Sequence, residues 1–132
     1  MKKLFPYVIS VLLLIPVFSS CTKEEIDYEE SMLIGKWMRP SPQNDETQTG
    51  FEYYRYDEGG TGVTWDTYDD VTEAEAQEFK WTLIKSDLTL THKIETTDEY
   101  GVPKVYTIVE LTTGMLTYKD DFGNTYSFSK VN

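Results

Sequence analysis

The chain has 132 residues, a net charge of −11 and 14% aromatic side chains. That charge excludes a nucleic-acid-binding surface, which needs clustered Lys and Arg, and the aromatic density excludes a disordered acidic tail. The single cysteine excludes an internal disulfide framework and a CxxC-type metal site.

Met1–Ser20 has the three parts of a secretion signal: the basic pair Lys2-Lys3, an apolar stretch from Tyr7 to Phe18, and the small Ser19-Ser20 before Cys21. The apolar stretch falls short of the roughly 20 residues a membrane-spanning helix needs, so it reads as a removable leader. Its loss takes Lys2 and Lys3 with it and leaves a net charge of −13 on residues 21–132. Phe18-Ser19-Ser20-Cys21 resembles a lipobox, with Phe18 where Leu is more usual. The resemblance implies that Cys21 becomes the first residue, carries acyl chains such as palmitate, and holds the protein on a membrane. Residues 21–31 then read as an acidic tether. Cys-Thr-Lys-Glu-Glu resembles the export signal of some Bacteroidetes surface lipoproteins, which implies an outer-membrane lipoprotein exposed at the cell surface.

From Met32 onward the chain is a series of short β-like runs separated by turn residues, and residues 32–132 form one domain. Strands are predicted near 33–39, 51–57, 62–67, 79–84, 88–95, 104–111, 115–119 and 125–130. Leu88, Leu90, His92 and Ile94 fall on one face, Phe79, Trp81 and Leu83 on another, and Tyr126 and Phe128 on a third. Asp57-Glu58-Gly59-Gly60, Lys85-Ser86-Asp87, Thr112-Thr113-Gly114 and Asp121-Phe122-Gly123-Asn124 supply tight-turn chemistry. Pro40–Gly50 reads as a longer mobile loop, and Thr96–Pro103 as a wider turn. Thr72 lies three residues before Glu75, the spacing of a capping box, so a helical turn is predicted there. Eight hairpin-linked strands predict an all-β, up-and-down antiparallel meander that closes into a small barrel.

The order of these features resembles the lipocalin-like domains of small Bacteroidetes lipoproteins. The residues that carry the resemblance are Leu33-Ile34-Gly35-Lys36-Trp37, Asp57-Glu58-Gly59-Gly60-Thr61-Gly62, Phe79-Lys80-Trp81-Thr82-Leu83 and Tyr126-Ser127-Phe128. Gly35-x-Trp37 is similar to the Gly-x-Trp that opens lipocalins, which implies that Trp37 plugs the closed end. No Thr-Asp-Tyr-type second motif is present, and the last strand offers Lys130 where an Arg commonly covers that Trp.

Trp37, Trp65, Phe79, Trp81, Tyr106, Tyr118, Tyr126 and Phe128 are expected to point inward with Leu88, Leu90 and Ile94. Bulk of that kind favours a largely filled interior, with any pocket shallow and near the mouth. The residues expected to meet a small apolar or amphipathic ligand are Trp65, Trp81, His92, Tyr106 and Tyr118, with the 40–50 loop as a gate. The run Tyr53-Tyr54-Arg55-Tyr56 alternates, so one set of aromatics must face outward. Tyr54 and Tyr56 are the candidates for an interaction surface, and with the acidity they support an alternative reading as a module that binds a basic protein partner. Asp66, Asp69, Asp70, Glu73, Glu75 and Glu78 match no EF-hand and read as a solvated loop. No nucleophile–base pair or metal set is legible, so neither an enzyme nor a cofactor is expected.

Overall fold

In a computed structural model, which describes residues 26–132, each alternating run pairs with the next run in the chain. The strands are β1 (Gly35–Pro40), β2 (Phe51–Asp57), β3 (Thr61–Asp66), β4 (Gln77–Ile84), β5 (Asp87–His92), β6 (Lys104–Leu111), β7 (Met115–Lys119) and β8 (Thr125–Val131). Every neighbouring pair is antiparallel, and β8 returns to β1 through Lys36–Val131, Trp37–Lys130 and Met38–Ser129. The result is the predicted eight-stranded up-and-down barrel, closed so that no strand edge is left over.

The connections sort themselves by length. Turns at 58–60, 85–86 and 112–114 lie at one end, the base, together with the chain entering at residue 26. The longer segments 41–50, 67–76 and 93–103 and the turn 120–124 lie at the other end, the mouth.

A helical turn, α1 (Glu30–Leu33), seals the base. It replaces the expected start of β1 at Leu33, because Leu33 is fully buried there and its carbonyl accepts the Trp37 indole N–H at 2.8 Å. Trp37 is itself fully buried and occupies the plug position. Lys130 covers its ring at 4.4 Å and donates to the Ile34 carbonyl at 2.6 Å. A lysine thus does at this site what the arginine of the resemblance does, by cation–π contact and one charged hydrogen bond. Gly35, at φ +129°, makes room: a Cβ there would lie 2.5 Å from Lys130 Nζ. Tyr28 also packs on the core, and its N–H donates to the Lys85 carbonyl at 3.3 Å, so docked chain begins before the tether's expected end at residue 31.

Alternation fills the interior. Trp37, Tyr56, Phe79, Trp81, Leu83, Leu88, Leu90, Ile108, Leu111, Leu116, Tyr118 and Phe128 are all buried. Tyr54 touches Phe79 and Phe128 with ring centres 5.6 Å away on either side, so the lumen is about one aromatic ring across. At Gly62 the Phe79 ring takes the space of a side chain, and a Cβ there would lie 2.5 Å from the ring. The odd spacing of the inward Ile108 and Leu111 is absorbed by a bulge between Ile108 and Glu110, which turns Val109 outward. Ile94 does not join the core: β5 ends at His92, and Ile94 enters the 93–103 segment, where it is 42% exposed.

Gly35→Ala tests the base directly. It is expected to lower stability by about 1–3 kcal/mol through a forced left-handed backbone and a displaced Lys130. A urea midpoint equal to that of the parent chain would refute this account of the plug.

Candidate functional site

The alternation that buries aromatics deep in the barrel places polar side chains where the same strands reach the mouth. On β2, Tyr56 is deepest, Tyr54 lies above it, and Glu52 reaches the rim. Thr64 on β3 pairs with Tyr54, Gln77 on β4 pairs with Thr64, and His92 on β5 pairs with Phe79. These groups line a half-open cleft of about 290 Å³, shared with Asp66, Asp69, Glu75 and Glu95 at the rim. Arg39 donates to Glu52 and lies over the Tyr126 and Phe128 rings at 5.1 and 5.3 Å, closing the lumen beside the cleft.

The 41–50 segment is expected as a mobile gate, but the structure pins it. Ser41 donates to Asp66 at 2.6 Å and Gln43 to Asp69 at 2.9 Å, and the Tyr68 hydroxyl donates to Asp45 at 2.9 Å. Asn44 and Gly50 exchange two further hydrogen bonds across the loop. Donors from Thr47, Tyr68 and Gln48 hold the Asp45 carboxyl well below the usual carboxylate range. The acidic 66–78 stretch is likewise more ordered than a solvated loop. Glu73 bonds Lys36 and Arg55 at 2.9 Å each, strapping the single 3₁₀ turn Glu73–Glu75 to the outer wall. That turn is the predicted capping segment, with Thr72 donating to Glu75 at 3.1 Å.

Of the expected ligand contacts, the structure brings His92 and Tyr106 to the mouth on the inner face, and Trp65 also lines the cleft of about 290 Å³, from the outer side of β3. Trp81 and Tyr118 are buried deeper, with the Trp81 indole donating to the Thr61 carbonyl at 2.8 Å. Trp65 departs from the inward expectation. It pairs with Tyr53 on the outer face, stacks on it at 4.9 Å, and lies under Lys36. Tyr54 and Tyr56 are not an outer surface either: the register with Trp37 and Gly35 turns both inward, and Tyr56 is 1% exposed. The outward set of that strand is Phe51, Tyr53 and Arg55. Glu52, Thr64 and Gln77 are additions to the expected set, and each lies two residues from an inward aromatic or glycine, so period two carries their signal.

Burial, with Lys104 nearby, holds the His92 pKa below its ordinary 6.5. The imidazole is therefore neutral at pH 7 and rests against Tyr54 and Phe79, with ring centres 6.2 and 5.8 Å away. Among the described residues no group of three or more His, Cys, Asp or Glu is arranged to hold a metal ion. The four mouth segments together carry eleven Asp and Glu against one Lys, whereas the base segments 26–34, 58–60, 85–86 and 112–114 carry four against one.

A plugged base, a narrow filled lumen and a polar mouth define a lipocalin-type barrel. The chain belongs to the lipocalin-like domain family, whose pattern matches residues 23–118. Its fold is similar to that of a lipocalin-like protein from Bacteroides thetaiotaomicron VPI-5482, at 20% identity and a TM-score of 0.53, over 76% of this chain and 97% of that one. It is also similar to the NMR structure of a protein from Bacteroides uniformis ATCC 8492, at 17% identity and a TM-score of 0.54, over 83% of this chain and 98% of that one. No curated protein matches the chain. The fold is typically one that binds small ligands rather than one that catalyses.

The lowered pKa of His92 has a signed consequence. As pH falls through about 6.5 the unfolded chain takes up this proton first, so the residue's contribution is full above that value and is lost below it. His92→Gln is expected to flatten the fall of the urea midpoint between about pH 7.5 and 5.5. Equal slopes in the two proteins would count against a buried neutral His92.

Proposed function

We propose that the chain is a lipid-anchored, non-enzymatic protein of the Gram-negative outer membrane that reversibly holds a small ligand at the barrel mouth. The observation that carries this reading is the mouth cleft of about 290 Å³, near the small end of ligand-pocket volumes. Below it Tyr54, Phe79 and Phe128 fill the lumen, so the ligand sits at the rim and not deep inside.

Cys21 and tether residues 22–25 lie outside the described residues, and the anchor rests on the lipobox-like sequence. An anchor there has a geometric consequence. Tyr28 is docked at the base, and the seven residues from Cys21 span at most about 25 Å. An anchored barrel would therefore keep its base toward the membrane and its acidic mouth away from it. That orientation leaves the cleft open to solutes and keeps eleven carboxylates away from a negatively charged lipid surface. The alternative, a module that binds a basic protein partner, relies on an outward Tyr54 and Tyr56, and their burial removes its main support.

Native mass spectrometry of the protein released gently from its own membranes tests both parts. The expected spectrum shows acyl mass on Cys21, absent in Cys21→Ser, and a non-covalent small molecule at one per chain. A stoichiometric partner chain with no small molecule would overturn the ligand reading, and an unmodified Cys21 would overturn the anchor.

A further inference from the structure

The chain enters the barrel at the base, and its point of entry is fixed. Tyr28 packs on the core, and its N–H donates to the Lys85 carbonyl at 3.3 Å. Ile26 stands two residues before Tyr28, and Ile84 one residue before Lys85, so both lie on one edge of the base. Neither is covered: Ile26 is 58% exposed and Ile84 69%. Alternation with the buried Leu83 turns Ile84 outward, and the tight turn at 85–86, with Lys85 at φ +56°, holds it there. The groove beside it, of about 500 Å³, is lined by the small Gly59, Gly60 and Thr82, and its only charged walls are Glu30 and Lys80.

Other apolar side chains are as exposed, but their place in the fold differs. Val102, at 83%, and Phe122, at 91%, stand at the mouth among its eleven carboxylates. The base segments carry only four, together with one Lys. From Cys21 to Ile26 the chain spans at most about 18 Å, close to the roughly 17 Å length of β5. An anchor at Cys21 brings the Ile26–Ile84 edge within easy reach of a membrane. The mouth could meet it only with the tether fully stretched along the wall.

An anchor alone limits how far the base can move from the membrane and holds no surface against it. We propose that the base docks on the lipid surface, with Ile26 and Ile84 inserted among the headgroups, and that this contact holds the barrel upright. This rests on the lipid-anchor reading of Cys21 and adds a non-covalent contact to it. Partly burying an isoleucine shifts the docked population about tenfold per side chain. That suffices once the anchor has removed the cost of bringing barrel and membrane together. The surface that fits is zwitterionic, because four carboxylates against one Lys at the base disfavour an anionic one.

The test places the acylated protein, labelled at its isoleucine methyl groups, at one copy per nanodisc of phosphatidylcholine that includes a nitroxide-labelled lipid. Ile94, at the mouth, is the internal reference. Broadening at Ile26 and Ile84 is expected to exceed that at Ile94 at least about tenfold, since it falls with the inverse sixth power of distance and β5 separates the two ends by roughly 17 Å. The same ratio is expected after about ten Gly and Ser residues are inserted between Glu25 and Ile26, a flexible spacer that holds no orientation of its own. Ile26→Ser with Ile84→Ser in the lengthened chain should bring the remaining base and mouth signals to about equal broadening. Both side chains are exposed, so folding stays intact, and an unchanged Ile108 methyl shift reports it. Equal broadening of Ile84 and Ile94 in the lengthened chain, with acyl mass on Cys21, overturns docking and leaves the anchor standing. An unmodified Cys21 overturns the anchor and docking with it. Loss of the Ile84 broadening in discs that hold two copies would assign this edge to a second copy of the chain and overturn the lipid assignment.

Discussion

Eight strands closed on themselves leave an interior only a side chain or so across, and this chain fills it with rings. Tyr54, Tyr56, Phe79, Trp81, Tyr118 and Phe128 meet one another across the lumen at 5.4 to 6.3 Å between centres. Each such ring removes a large apolar area from water and adds edge-to-face contact. The same bulk decides where anything else can go. With the lumen occupied, a binding site has to lie above Tyr54, where the inward positions change from aromatic and aliphatic to Glu52, Thr64, Gln77 and His92.

The two ends of the barrel then divide the work. The base is made of tight turns and is sealed by Leu33, Trp37 and Lys130, which lock to one another through the Trp37 indole, the Lys130 ammonium and the space left by Gly35. The mouth is made of longer segments that would be floppy in isolation. They are held by cross-links instead: Ser41 to Asp66, Gln43 to Asp69, Tyr68 to Asp45, and Glu73 to Lys36 and Arg55. Two of these are exposed and three only part-buried, and each contributes little by itself. Together they keep the acidic side of the mouth at a fixed shape, which a preformed cleft requires.

Much of this architecture is legible in the sequence, for reasons that can be named. Clean alternation in Phe79-Lys80-Trp81-Thr82-Leu83 and Leu88-Thr89-Leu90-Thr91-His92 gives strand, face and core together. Gly35-x-Trp37 points to the plug, and Lys130 stands where a cation is needed. Sequence and structure part where period two is ambiguous. In Phe51–Asp57 aromatics occupy both faces, so only the pairing of Tyr54 with Trp37 decides that Tyr54 and Tyr56 turn inward and that Trp65, opposite Tyr53, turns outward. By alternation alone Ile94 is one more inward position, but β5 stops at His92, because Lys93–Pro103 bends into its own turn closed by Ile94 and Glu99. Hydrogen bonds between distant loops, such as Ser41 to Asp66, leave no local pattern, and that is why the 41–50 segment reads as a gate in the sequence and as a pinned loop in the structure.

The binding function proposed for this barrel depends on a ligand being held at the mouth above a filled lumen. The most direct measurement is the amide chemical-shift map of isotope-labelled protein titrated with a small neutral amphipath, 4-phenylbutan-1-ol. Shifts are expected to concentrate at the mouth ends of the strands, around Tyr54, Thr64, Gln77 and His92, with unchanged amides at Leu33, Leu83 and Leu116. Shifts centred on Leu83, Leu111 and Leu116 would mean that the ligand enters the lumen, and would contradict binding at the mouth.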